Sequence, residues 1–270
     1  MAEKPLEEAP PLAVFTTPKR GVIRSISAQE LPPDALYDAS NVVVRTAQLQ
    51  ARPGLTQFDA QVFGARPTGC TLYQSPGGAT IPVVGTRTGI WKYDTTWTNI
   101  ADTTLIASDI QLSRFAILAI GTVNYLVHVN GIDAPRQWDG IGALTTLVTG
   151  NPPDWSDITT AFDRVVGIVP PYTVRWGEAL RLDLWNELNF RTLSDTPDPL
   201  VAISNLGTVG IVCYKRATIW NGYQVGGPSS SAFKFELRGY FEGPASPAAV
   251  VQANGIDYYM TPSGRIGAYD

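Results

Sequence analysis

The amino-acid sequence predicts an all-β protein built from repeats of about 44 residues, a β-propeller with an extended N-terminal segment. Three observations carry that expectation. The 270 residues include 25 glycines and 21 prolines, against average usages of about 7% and 5%, so the chain turns often. It is also 44% hydrophobic with 7 Trp, 11 Tyr and 9 Phe, too rich in aromatics for a disordered linker. Third, β-rich runs end repeatedly in an aromatic followed by Asp or Asn.

Those endings are Tyr93-Asp94, Trp138-Asp139, Trp185-Asn186, Trp220-Asn221 and Tyr269-Asp270, spaced 45, 47, 35 and 49 residues apart. Alternating or fully apolar runs precede most of them, as in Gly89–Tyr93, Tyr125–Val129, and Thr208–Cys213 followed by Ala217–Trp220. Turn pairs fall between the runs: Thr88-Gly89, Asn130-Gly131, Asn221-Gly222, Asn254-Gly255 and Ser263-Gly264. Asn-Gly between apolar runs signals a hairpin, because both central positions of a type I′ turn need positive φ. A period in the forties with about four short strands matches one propeller blade. A single twisted sheet cannot cover both of its faces; blades packed around an axis bury them against one another. Trp138, Trp185, Trp220 and Tyr93 are therefore expected between blades.

Other segments follow in order. Residues 1–20, rich in Pro and acids, read as an extended arm, and residues 21–270 as the propeller domain. Asp34–Ala39 could form one helical turn, Tyr37–Val44 leads into a strand, and Arg52-Pro53-Gly54 punctuates a turn. Phe115–Ile132 is uncharged over 18 residues, yet it alternates and contains Asn124, His128 and Asn130. It reads as two core strands rather than a membrane span. Pro152–Thr160 is expected to be a loop. Leu180–Leu188 alternates at 180, 182 and 184 and is read as a strand.

Composition narrows the function classes. A net charge of −4 announces no nucleic-acid binder. Cys70 and Cys213, 143 residues apart, form no metal or disulfide framework. The single histidine, His128, excludes a site of several imidazoles. No phosphate loop, dinucleotide fingerprint, nucleophile elbow or HExxH appears. Gly226–Ser231 is Gly/Ser-rich, but Pro228 removes an amide that a phosphate cradle would need. Cofactors and metals are not expected. Asp154, Asp157, Asp163, Glu178, Asp183 and Glu187 could supply a glycosidase pair, which needs two carboxyls about 5–9 Å apart; Trp155 and Trp176 lie near enough to serve as sugar platforms. Asp154 and Asp157, in a proline-led loop, read better as turn residues, as do the repeated Asp and Asn after each aromatic.

The order of local signatures resembles a family of tailed-phage tail proteins, the tubular or nozzle proteins of podophages. Asp34–Phe58, with its Asn, strand and Arg-Pro-Gly turn, looks like that family's opening. Asn130-Gly131-Ile132-Asp133-Ala134-Pro135 with Trp138-Asp139-Gly140 resembles its hairpin motif, Ala202–Trp220 its strand pair, and Phe241–Asp270 a later hairpin. The resemblance implies a β-propeller without enzymatic activity, located in the virion and assembled in the host cytoplasm. It also implies a ring of copies, expected to be a hexamer. That ring would contact a portal or adaptor protein and tail fibres or spikes, retain packaged DNA and conduct it at ejection without reading its sequence. The alternatives are a glycan-binding or glycan-cleaving module and a generic interaction scaffold. The last unit, Ala248–Asp270, is expected to hold about two strands. Its open edge would be closed by a strand from Asn41–Leu49 or Gly54–Phe58, or else the chain is part of a longer protein; the sequence favours the second.

Overall fold

A computed structural model describes residues 59–108, 110–147, 152–207 and 209–270, together with two short strands further towards the N-terminus. Those two, β1 (Val42–Arg45) and β2 (Gln48–Ala51), pair antiparallel in a separate unit. The arm, the helical turn at Asp34–Ala39, the Arg52-Pro53-Gly54 turn and the strand expected at Gly54–Phe58 lie outside the described residues.

The second unit, residues 61–270, is a five-bladed β-propeller. Blade 1 contains β3 (Pro67–Gln74), β4 (Thr80–Thr86), β5 (Ile90–Asp94) and β6 (Thr96–Asn99). Blade 2 contains β7 (Arg114–Ile120), β8 (Val123–Val129), β9 (Arg136–Trp138) and β10 (Thr145–Thr146). In blade 3 follow β11 (Asp157–Ala161), β12 (Arg164–Val169), β13 (Thr173–Trp176) and β14 (Phe190–Thr192). Blade 4 comprises β15 (Leu200–Leu206), β16 (Gly210–Lys215), β17 (Thr218–Gln224) and β18 (Phe233–Tyr240), and blade 5 β19 (Val250–Ala253), β20 (Ile256–Met260) and β21 (Ile266–Tyr269). Every neighbouring pair is antiparallel and consecutive in the chain, so each blade is a meander. The first strands β3, β7, β11, β15 and β19 touch one another in that order and form the inner ring. Among the described residues the helical content is two single 3-10 turns, Ser229–Ser231 and Pro247–Ala249.

Four hydrophobic clusters hold the blades together, one per junction. Tyr73, Val83 and Ile90 pack on Leu126 and Trp138 between blades 1 and 2. Val127 and Val129 meet Trp155, Val165 and Trp185 between blades 2 and 3. Val166, Ile168 and Trp176 meet Cys213, Trp220 and Phe233 between blades 3 and 4. Val212 and Tyr214 meet Tyr259 between blades 4 and 5. Strands buried on both faces lose alternation, so β16 reads Gly-Ile-Val-Cys-Tyr-Lys and is buried throughout.

Several local expectations need correction. Leu180–Leu188 is not a strand but part of the connection between β13 and β14, with Leu180 at φ +54. The third-strand aromatic of blade 3 is Trp176, which makes the spacings of Tyr93, Trp138, Trp176, Trp220 and Tyr269 more even, at 45, 38, 44 and 49. Asp157–Thr160 is not loop but the start of β11, because its residues face blades 2 and 4 rather than water. Asn254-Gly255 is the expected type I′ turn, with φ of 53 and 76 between Ala253 and Ile256. Asn221-Gly222 is no turn: it lies inside β17, where a Cβ on Gly222 would strike the Phe235 ring at 2.4 Å. Asn130-Gly131 opens a longer connection in which only Gly131 has positive φ. Blade 5 has three strands, not about two.

Candidate functional site

The repeat positions divide by environment. Trp138, Trp185 and Trp220 are buried at junctions, as expected. Trp185 reaches its place from the β13–β14 connection, edge-on to Trp155 at 4.9 Å, and Gly177 leaves room for it. Tyr93 departs from expectation: it is half-buried on the face of blade 1 turned away from blade 2, against Trp97. That strand turns its Ile90 and Lys92 side towards blade 2 instead, with Lys92 over the Trp138 ring. Tyr269 ends β21 and its hydroxyl donates to Asn221 Oδ1 at 2.9 Å across the blade 4–5 junction. Asp139 and Asn186 accept the amides of Ile141 and Leu188 two residues on, the turn role expected of them. Asn221 does not close a turn; it is buried within β17. Asp94 and Asp270 are exposed at strand ends.

The polar chemistry of the described residues is concentrated between blades, on side chains whose junction role the sequence did not mark; Asp157 in particular is no turn residue. Asp157 is fully buried at the start of β11. Its Oδ1 accepts Arg114 Nε of blade 2 at 2.6 Å, and its Oδ2 accepts the Ile203 amide of blade 4 at 2.9 Å. One carboxylate thus clasps three blades. Burial pushes its pKa above the ordinary value despite the opposing Arg114 guanidinium. Asp257 of blade 5, also fully buried, accepts Ser204 Oγ at 3.0 Å and the Tyr214 hydroxyl at 2.7 Å. Burial, and then Asp257 beside it, raise the Tyr214 phenol.

Asp133 performs the same work between blades 1 and 2. Asn130 Oδ1 accepts the amides of Ile132 and Asp133, and its Nδ2 donates to Asp133 Oδ2 at 2.7 Å. Asp133 Oδ1 in turn accepts the Ile106 amide at 3.0 Å, tying the blade 1–2 crossover down. The Asn-Gly-Ile-Asp run is therefore a clamp on a neighbouring segment. His128 Nε2 lies 3.2 Å from Ser113 Oγ, which lies 3.0 Å from Thr68 Oγ1 of blade 1. Burial, with Arg136 nearby, lowers the imidazole pKa from 6.5 to about 3. His128 is a buried core residue, as its apolar strand suggested.

The candidate acids are scattered among structural roles. Glu178 accepts Ser229 Oγ, Asn189 Nδ2 and Arg164 Nη1. Burial raises its pKa, but these hydrogen bonds together outweigh that and hold it below the ordinary value. Asp183 chelates Arg181 at 2.9 and 2.8 Å on the surface, Asp163 occupies the turn after β11 at φ +59, and Asp154 is exposed. Trp155 and Trp176 are 0% and 2% exposed, so neither offers a sugar a platform. Cys213 is buried and its thiol pKa raised by burial, whereas Cys70 is exposed.

An open, mainly polar pocket of about 350 Å³ lies among the inner strands, with Arg114, Thr159, Ser204, Asn205 and Gln252 lining it beside Phe115 and Ile203. A second cavity, of about 240 Å³, lies beside Thr160, Phe162, Asp163 and Asn205. Asn205 Nδ2 donates to the Thr160 carbonyl and Gln252 Nε2 to the Asn205 carbonyl, which stitches three inner strands across the axis side. Among the described residues no cluster of His, Cys, Asp or Glu is arranged to hold a metal ion, and no helix is long and apolar enough to cross a membrane.

Fold and junctions together define a β-propeller whose blades are joined by buried carboxylates. No protein-family model and no curated protein matches the sequence. Among solved structures, BBS1N, crystallised in complex with ARL6DN, is similar with a TM-score of 0.51 at 9% identity, over 82% of this chain and 71% of that one. The computationally designed Ika8 protein matches at a TM-score of 0.45 and 15% identity, over 70% of this chain and 55% of its own. At such identities the likeness to BBS1N concerns the fold alone.

Proposed function

We propose that this chain is a structural component of a phage tail, of the tubular or nozzle type, which extends the portal–adaptor channel, retains packaged DNA and conducts it at ejection. The reading rests on the ordered resemblance of its motifs to that family. The observation that best supports it is the role of Asn130-Gly131-Ile132-Asp133, whose side chains and amides clamp the crossover between blades. A motif that holds a framework together suits a protein whose task is mechanical. DNA would pass through the lumen of a ring of copies. With a net charge of −4, such a ring would hold DNA by confinement, since tight binding scales with the number of phosphates neutralised.

Mass spectrometry of purified phage particles encoding this chain is the test. The protein is expected in stoichiometric amount in the tail fraction, with electron microscopy placing it below the portal. Its absence from intact particles would overturn the proposal.

A further inference from the structure

The pocket of about 350 Å³ is lined by the first strands of blades 2 to 5, and its wall holds polar groups that the fold positions but does not use. Arg114 commits its Nε to Asp157 at 2.6 Å. Its two Nη groups, with four N–H donors, have no partner among the described residues. Asn205 donates its amide nitrogen to the Thr160 carbonyl at 2.8 Å, and Gln252 donates its own to the Asn205 carbonyl at 2.7 Å. Each of these two side chains is thereby held in place with its amide oxygen left over as an acceptor. The Thr159 hydroxyl is also without a partner among the described residues. Phe115 and Ile203 give the same wall an apolar side. Arg114 is the one charged residue in this lining, and its counter-charge, the fully buried Asp157, sits directly behind it. The wall therefore offers donors and acceptors together and almost no net charge.

We infer that this pocket binds a neutral, hydroxyl-rich molecule of the size of one hexose. A small anion would meet the guanidinium, but also the Asp157 charge behind it and two amide oxygens that repel it. A cation would meet the guanidinium. A hydroxyl both donates and accepts, so a polyol can take N–H groups from Arg114 and give O–H groups to Asn205 and Gln252 at once. The C–H face of a sugar ring has Phe115 and Ile203 to lie against. The volume is at the lower end of the roughly 300–1,000 Å³ usual for small-molecule sites, which suits one ring rather than a chain of them. Arg114, Asn205 and Gln252 are already held by bonds between inner strands, so binding forfeits little further side-chain freedom. The inference does not depend on the tail reading.

The test titrates the full chain with D-glucose, D-galactose and D-mannose and follows each by saturation-transfer NMR. Sodium D-glucuronate serves as the anionic arm and D-glucosamine hydrochloride as the cationic one. At least one neutral hexose is expected to bind saturably in the millimolar range, and more tightly than either charged sugar. Thr159→Val and Gln252→Ala each remove one hydrogen bond to the sugar and should weaken binding about fivefold. Urea unfolding should show both variants folded; if Thr159→Val is not, Gln252→Ala, at an exposed residue, carries the comparison. No saturable binding of any of the three hexoses up to tens of millimolar would overturn the inference. So would glucuronate or glucosamine binding as tightly as the hexose, since the site would then read charge. Hexose binding that Gln252→Ala leaves unweakened would overturn it too, because the sugar would sit elsewhere. A virion can contain the chain whether or not it binds a hexose, so failure here and absence from particles are distinguishable.

Discussion

Blades 4 and 5 are built from similar strands and end in different environments. The second strand of blade 4, β16, is buried at every residue, down to Lys215, whose Nζ is wrapped by the carbonyls of Leu193 and Thr196. The second strand of blade 5, β20, alternates, with Asp257 and Tyr259 buried and Tyr258 and Met260 exposed. The difference is one neighbour. A blade enclosed on both sides needs apolar or fully hydrogen-bonded residues on both faces, and even its lysine must be caged. A blade with one face open keeps its strict period of two, and its polar side chains can go inward only where a partner such as Tyr214 awaits them.

The largest break in this contrast should come from Trp176→Ala. Trp176 is buried, edge-on to Phe233 at 5.1 Å, and donates to the Ser229 carbonyl at 2.7 Å. Its truncation should cost about 3–5 kcal/mol by chemical denaturation. Met260→Ala on the open face of blade 5, 53% exposed, should cost less than about 0.5 kcal/mol in the monomer. Equal losses at both positions would refute the division into closed and open faces.

Next in size is Asp157→Ala. It strands Arg114 and the Ile203 amide at once, and should cost about 3 kcal/mol. Asp157→Asn should recover less than half of that loss, because its one carbonyl oxygen can accept only one of the two bonds and its NH2 group would face the other donor. If Asn matched the parent, acceptance at both oxygens would not be what holds the three blades.

The effect that is smallest at neutral pH, and grows on acidification, sharpens the blade 1–2 junction. The imidazole of His128 titrates at about 3 when folded and near 6.5 when unfolded. Between those values the unfolded chain takes up a proton that the folded one refuses. The His128 contribution is therefore fully present above pH 6.5 and is lost on acidification, at about 1.4 kcal/mol per pH unit. Urea titrations from pH 7 to 4 should show a shallower decline in His128→Gln than in the parent. Parallel declines would mean that His128 is not the group responsible.

Much of the fold was legible in local pattern. Strand alternation across Phe115–Ile132, the type I′ signature at Asn254-Gly255 and the period near 44 all survive, because strand and turn preferences act over a few residues. Trp185 reads as a strand residue because its neighbours alternate, whereas Trp176, the third-strand aromatic of blade 3, has no Asp or Asn after it. Asn221-Gly222 has the composition of a turn, but its place in β17 is decided by the approach of Phe235 from the adjoining strand. The inter-blade carboxylates left no local trace. Asp157 meets Arg114 43 residues before it and Ile203 46 residues after it, and such pairings exist only once the blades are stacked. Residue order accordingly determined the strands, their turns and the blade length, through short-range backbone preference. Tertiary packing alone decided which aromatics fill the junctions and which carboxylates clasp them, since burial and ion pairing depend on neighbours a whole blade away.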